Sequence, residues 1–406
     1  MEPSILDRVL QSQEIIDKQT SNPSEVVNQL LKLLSSRESD ILRMRFGIDG
    51  NKHKTLELIG QQYRITRERV RQIERQSVER LKTLKEFAVI AGGLHNVVVH
   101  QLKIHGSVRR KDRLLNELLT TVGDSPSNRN SLTFLIEYLL ADHVESIEDK
   151  LLHPAWKVKG ATLELFHELI EALLKFFQIR ESPLPMDELI GHIKGSEFYS
   201  TRNQDLQNLV LFASHGEDTE EMIERVLHSY LELSTYLQQN PFGEWGLSTW
   251  QSVRPRRMSD KIYLVLKKHS APLHFTEIAD HINNTKFDHK KAHPPTVHNE
   301  LILDSRFVLV GRGIYALKEW GYEPGVVADV ITSVLAKAAT PLTREEIIDA
   351  VARQRLVKKG TILLALTNHL RFERTPEGKY TLSSQPISEN AITPTNTTPP
   401  TPQTVT

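Results

Sequence analysis

The chain contains no cysteine in 406 residues, which removes a disulfide framework and any thiolate-ligated metal site. It has no surplus charge: 51 Lys and Arg balance 51 Asp and Glu, so attraction to nucleic acid must come from local patches. No apolar run approaches the roughly 18 residues a bilayer helix needs. The start, Met1 to Ile15, lacks an apolar stretch behind a basic segment, so no secretory signal is expected. Glycine-rich phosphate loops, a nucleophile elbow and the HExxH zinc pattern are also missing. Acid pairs such as Glu220-Glu221 and Glu345-Glu346 are sequence neighbours whose side chains diverge on a helix. His281, His289, His293 and His298 lack paired ligand spacing, and His95, His100 and His105 step by five, which scatters them around a helix. No cofactor, metal or enzymatic activity is expected.

What is present concentrates between Ser36 and Leu84. A short helix from Thr55 to Tyr63, a tight Tyr63-Arg64-Ile65-Thr66 turn and a second helix from Thr66 to Leu84 have helix-turn-helix spacing. Thr66 is the expected N-cap, without a capping box because Arg69 stands three residues on. At about 100° per residue, Val70, Ile73, Ser77 and Leu81 form a core stripe. Arg67, Glu68, Arg71, Gln72 and Arg75 fall on the opposite side. These side-chain types read base edges: Arg pairs with guanine, Gln with adenine, and Glu accepts from cytosine. Residues 37–82 hold 12 Lys and Arg against 7 Asp and Glu, a local surplus suited to phosphate.

The run RMRFGI…TLELIG…ITRERVRQIE, between Arg43 and Glu74, strongly resembles region four of bacterial primary sigma factors. That resemblance implies that Arg67, Glu68, Arg71 and Gln72 contact bases of a −35-like element and that Arg69 lies near the backbone. It also implies that Lys54 and Thr55 meet phosphates and that the domain docks on the beta flap of RNA polymerase core. One amphipathic helix ahead of them, with Leu33, Leu34, Ile41, Leu42 and Phe46, is expected to form the domain's core. The stretch ahead of this reader is expected to be too short for the other core-binding and −10-capturing parts of a sigma factor. The chain is therefore not expected to open promoters alone.

The remainder repeats. Pro183-Leu184…Glu188-Leu189…His192-Ile193 recurs as Pro272-Leu273…Glu277-Ile278…His281-Ile282 and as Pro341-Leu342…Glu346-Ile347…Ala350-Val351. Each follows an apolar helix, at Leu163–Phe177, Met258–His269 and Val326–Ala338. The proline marks a loop, and the acid falls in the first turns of the next helix. Downstream, Arg306-Phe307-Val308…Gly313-Ile314-Tyr315-Ala316-Leu317 matches Arg371-Phe372-Glu373…Gly378-Lys379-Tyr380-Thr381-Leu382, and Leu237…Phe242-Gly243-Glu244-Trp245-Gly246-Leu247 is an earlier copy. These read as β-hairpins, so helix, helix, helix, hairpin is the order of a winged helix. A degenerate copy precedes them, with helices Leu84–Ile104, Lys111–Thr121 and Ser131–Val144, then His153 to Val158. Residues 258–322, with KIYLVLKKHSAPLHFTEIADHIN and RFVLVGRGIYALKEWGY, resemble the HARE-HTH winged-helix family, which includes the N-terminal domain of the RNA polymerase delta subunit. That likeness implies contact with nucleic acid or polymerase.

Basic residues Lys286, His289, Lys290, Lys291 and His293 lead into a helix at Pro294–Leu303; Arg353, Arg355, Lys358 and Lys359 lead into one at Gly360–Leu370. Lys290, Lys291, Lys358 and Lys359 are candidate phosphate contacts, although protein docking fits these loops as well. Glu217, Asp218, Glu220, Glu221 and Glu224 make the copy before them a protein contact or an architectural unit. The fold class expected is mainly α, a helix-turn-helix head followed by tandem winged-helix domains with small β-hairpins. The expected domains are a helical lead-in at 1–24, the head at 25–84, a degenerate winged helix at 85–160, and winged helices at 161–252, 256–322 and 325–383. A disordered tail is expected at 384–406, rich in Thr, Pro, Asn and Ser. The functional expectation is a cytoplasmic, nucleoid-associated, sequence-specific transcription protein that binds double-stranded DNA and RNA polymerase core. Its DNA-binding residues would be Lys54, Thr55, Thr66, Arg67, Glu68, Arg69, Arg71, Gln72 and Arg75. The alternative is a polymerase accessory module with incidental DNA contact. No membrane contact is expected, and the sequence leaves the oligomeric state open.

Overall fold

The computed structural model describes residues 22–211, 218–285, 287–322, 325–338, 340–355 and 357–383. The expected tail and most of the lead-in lie outside these residues, as do Glu217 and Lys286. The chain divides into two compact units, Met1–Arg254 and Pro255–Thr406.

Local capping sets the head's helices. α1 (Pro23–Leu31) starts at Asn22, whose side chain accepts the Ser24 N–H, with Pro23 in the first helical position. α2 (Ser36–Phe46) starts in a reciprocal Ser35/Glu38 capping box and ends at Gly47, whose φ of 62° is left-handed. The single amphipathic helix expected here is therefore two, because Ser35 restarts the chain after Leu34. α3 (Leu56–Tyr63) and α4 (Arg67–Thr83) complete the head.

Four winged-helix-like units follow. The first comprises α5 (Lys85–Ile104), β1 (Val108–Arg110), α6 (Lys111–Leu119), α7 (Pro126–Phe134) running into a π turn at Leu135–Leu139, β2 (Val144–Ile147) and β3 (Ala155–Val158). α7 begins ahead of the expected Ser131 because Ser125 caps it and Pro126 presets its first turn. The second unit comprises α8 (Glu164–Arg180), β4 (Leu184–Pro185), α9 (Met186–Lys194), α10 (Glu197–Leu211), α11 (Thr219–Leu233), β5 (Leu237–Gln239) and β6 (Glu244–Leu247). It carries one helix more than the expected three. The third comprises α12 (Met258–His269), β7 (Leu273–His274), α13 (Phe275–Thr285), α14 (Pro294–Leu303), β8 (Phe307–Gly311) and β9 (Ile314–Leu317). The fourth comprises α15 (Val327–Lys337), α16 (Arg344–Gln354), α17 (Lys359–Leu366), β10 (Phe372–Arg374) and β11 (Tyr380–Leu382). α17 stops short of the expected Leu370, where Asn368 accepts the Leu370 N–H in a turn.

Pro183, Pro272 and Pro341 lie in loops as expected, and the leucine after each pairs at the edge of its unit's sheet. Leu184 pairs with Trp245, Leu273 with Tyr315, and Leu342 bridges Tyr380, always antiparallel to the last strand of the unit. β1 pairs with β3 in the same way, so the degenerate unit has the same sheet order. Two-residue strands carry no alternation to read; the pairing partner makes them.

The apolar cores cross the boundaries drawn from sequence. Val26, Val27, Leu30, Leu31, Leu42 and Phe46 of the head share one core with Leu94, Val98, Leu132, Phe134 and Trp156. The Phe46 ring centroid lies 4.6 Å from that of Phe134 and 4.5 Å from that of Tyr138. Asn130 Nδ2 donates to the Gly47 carbonyl at 2.8 Å, and Ser127 Oγ donates to that of Ile48 at 2.6 Å. A second core joins Ile104, Val108 and Ala155 to Phe166, Leu227 and Trp245. Beside it Arg109, 7% exposed, bridges Glu117 (2.5 Å) and Glu232 (2.6 Å), while His105 Nδ1 lies 2.6 Å from Ser229 Oγ. Burial works to raise the Glu117 pKa, yet hydrogen bonds from His105 and Arg109 outweigh it and hold the carboxyl at about 2. α5 is, among the described residues, the one helix long and apolar enough by length and composition to cross a membrane, a feature not expected from the sequence. Its Ala91, Leu94, Val98 and Leu102 pack into the protein core, and Lys85, Glu86 and Lys103 lie at its ends.

Candidate nucleic-acid interface

The head's turn is fixed by one glycine and two threonines. A Cβ on Gly60 would lie 2.7 Å from the Ile65 carbonyl oxygen, so only glycine lets the chain cross this closely. The Ile65 N–H returns to the Gly60 carbonyl at 2.9 Å, and Arg64 takes a left-handed φ of 54°. Thr55 caps α3 by accepting the Leu58 N–H at 3.3 Å; Thr66 caps α4 by accepting the Arg69 N–H at 3.2 Å. Each hydroxyl retains its own proton and can donate it to an anion at the helix N-terminus.

α4 has two chemically distinct sides. Val70, Ser77 and Leu81 are fully buried and Ile73 is partly so. Val70 and Ile73 close a small core with Ile41 and Ile59, whereas Leu81 joins the larger core that the head shares with the next unit. Arg67, Glu68, Arg69, Arg71, Gln72 and Arg75 are all exposed, as are Lys54, Thr55 and Thr66. The Arg71 guanidinium grips Glu68 through two bonds, 2.8 Å from Nε and 2.7 Å from Nη2, and holds its carboxyl below the usual carboxylate range. Arg69 Nη1 donates to Gln72 Oε1 at 3.2 Å. Arg67 and Arg75 make no side-chain hydrogen bond or ion pair among the described residues.

Several residues that sequence reasoning passed over set this surface. Arg45 joins α2 to α4 through Glu74 at 3.2 Å and reaches the Lys54 carbonyl at 3.4 Å. Gln62 holds the Lys54 ammonium at 3.1 Å. Lys52 and Arg64 add exposed cations in the flanking loop and turn. The loop cations lacked a signal because no helical period reaches them, and Arg45 sits in a run that reads only as core and charge.

Farther along, Lys290, Lys291, Lys358 and Lys359 are exposed. Arg355, grouped with the last pair by sequence, is instead 7% exposed and bonds inward to the Gly325 carbonyl. Among the described residues no three His, Asp or Glu side chains gather as metal ligands.

Residues 30–83 match the family model described as Sigma-70, region 4. Over 58 residues the chain is 50% identical to RNA polymerase sigma factor RpoD of Neisseria gonorrhoeae, covering 14% of this chain and 9% of that protein. It is 43% identical over 58 residues to RNA polymerase sigma factor SigA of Lactococcus lactis subsp. cremoris, covering 14% of this chain and 16% of that protein. It is 48% identical over 69 residues to RNA polymerase sigma factor SigA of Nostoc sp. (strain PCC 7120 / SAG 25.82 / UTEX 2576), covering 16% and 18%. The chain thus spans less than a fifth of the length of these relatives.

Proposed function

We propose that the head reads duplex DNA at a −35-like promoter element and that the chain acts with RNA polymerase core in transcription initiation or its regulation. One observation carries the reading: six polar and charged side chains of α4, from Arg67 to Arg75, face solvent while the opposite side of the same helix is sealed. A helix so arranged can enter a major groove. Arg71 must leave Glu68 to reach a base. Both side chains are 56% exposed, so solvent screens that pair and opening it costs little against the roughly 1–3 kcal/mol a bidentate base contact supplies. Lys54 and the caps Thr55 and Thr66 would take phosphates. The likeness of 30–83 to Sigma-70, region 4 supports the polymerase partner, the beta flap being the proposed contact, and a cytoplasmic, nucleoid-associated location follows from the same reading.

The test is selection on random duplexes with the full chain. Arg71→Ala or Gln72→Ala relaxes sequence preference by about 1–3 kcal/mol at one position, and Lys54→Ala weakens every sequence alike. Equal weakening of all probes by all three variants refutes the assignment. A protein-contact role fits the unit from α8 to β6. There Lys194 is held between Glu220 (2.9 Å) and Glu224 (2.8 Å), leaving an acidic face that repels phosphate. In that reading the polymerase holds the chain and DNA contact is incidental. Retention on DNA only when core polymerase is present would favour it.

A further inference from the structure

The unit from α12 to β9 carries a basic loop whose construction the head does not explain. Lys261 is 3% exposed on α12, and its ammonium lies 2.7 Å from Asp288 Oδ2. The other oxygen of Asp288 accepts the Lys290 N–H at 3.1 Å. Asn283 brackets buried Ala292 from both sides, donating to its carbonyl at 2.9 Å and accepting its N–H at 2.7 Å. The acid in this loop is thus neutralised from beneath. Lys290 and Lys291 are exposed and have no ion-pair partner among the described residues. Arg312, also exposed, occupies the turn between β8 and β9.

The units of the first half treat their cations differently. Near the start of α7, Arg129 is tied to Asp124 at 2.6 Å and 2.9 Å and to Asn116 at 2.7 Å. Lys194 in the next unit lies between two glutamates. The charge of those two residues is consumed internally, as is that of Lys261 and Arg306 in the α12 to β9 unit, whereas Lys290 and Lys291 of that unit make no ion pair among the described residues.

We propose that Lys290, Lys291 and Arg312 form a second, sequence-independent grip on the phosphate backbone of duplex DNA. α14, between Pro294 and Leu303, carries no Arg or Lys, and its exposed Asn299 is its one amide for an adenine edge, so the cations that would meet the phosphate backbone are those of the loop and the hairpin turn. This extends the proposed function to a two-part contact, in which a specific head and a non-specific clamp raise one another's effective concentration. It does not depend on what the head reads.

The experiment measures binding of the full chain to random-sequence duplex across a salt series. The triple variant Lys290→Ala, Lys291→Ala, Arg312→Ala should flatten the slope of log K against log salt by about 0.9 for each phosphate no longer neutralised, leaving the selected sequence unchanged. The charge-preserving pair Lys290→Arg, Lys291→Arg should keep the wild-type slope. Arg71→Ala should do the reverse of the triple variant, altering preference with a smaller change of slope, so failure of the head's reading is separable. An unchanged slope in the triple variant overturns the clamp. So does an unchanged slope with weaker retention on core polymerase, which would make the patch a protein-docking surface.

Discussion

Replacing Gly60 with alanine should have the opposite sign from the same change at Gly92, although both glycines lie inside helices. In a helix interior, alanine is favoured over glycine by about 1 kcal/mol when there is room for the methyl group. At Gly92 in α5 nothing lies within 4 Å of an added Cβ, so Gly92→Ala should gain close to that amount. At Gly60 the new carbon would meet the Ile65 carbonyl oxygen at 2.7 Å, where ordinary contact starts near 3.4 Å. The obstacle is backbone and cannot rotate away. Relief requires the turn to open, lengthening the Ile65 N–H bond to the Gly60 carbonyl and shifting Thr66, the cap of α4. Overpacking of this kind costs about 1–3 kcal/mol, which exceeds the helical gain and leaves a net loss of up to about 2 kcal/mol. Native-state hydrogen exchange of the α3 and α4 amides is the suitable assay, because it resolves the head within a multidomain chain. DNA affinity should fall together with that protection. Equal stabilisation by the two substitutions would refute the argument that close approach at residue 60 sets the turn.

Phe134→Ala should cost about 3–5 kcal/mol and should reduce amide protection in α2 as well as in α7, because its ring packs on Phe46. A drop in protection confined to the stretch from α5 to β3 would contradict a shared core. The Glu117 carboxyl is held at about 2, below its ordinary value of 4.5, so its contribution to stability is complete above about pH 4.5 and disappears as pH falls towards 2. Glu117→Gln should therefore destabilise the Met1–Arg254 unit at neutral pH and lessen the loss of its stability across that acid window, as read from denaturant midpoints at a series of pH values. An acid profile parallel to wild type would remove Glu117 from the account.

The sequence by itself determined what helical geometry determines. A period near 100° separates Val70, Ser77 and Leu81 from Glu68, Arg71 and Gln72 wherever the helix is placed, and Thr55 and Thr66 cap through bonds made three residues away. The repeated proline, acid and hairpin signals likewise act locally, which is why the winged-helix order could be read before any tertiary neighbour was known. Tertiary structure alone decided the rest. β4 and β7 are strands only because Trp245 and Tyr315 pair with them from far along the chain. Arg355 looked like its neighbours Lys358 and Lys359 until folding turned it onto the Gly325 carbonyl. The apolar residues of α1 and α2 announced a buried face without naming what would cover it. Hydrophobic attraction has no direction, so composition can require a cover, but only the folded chain assigns that cover to Leu94, Leu132 and Phe134.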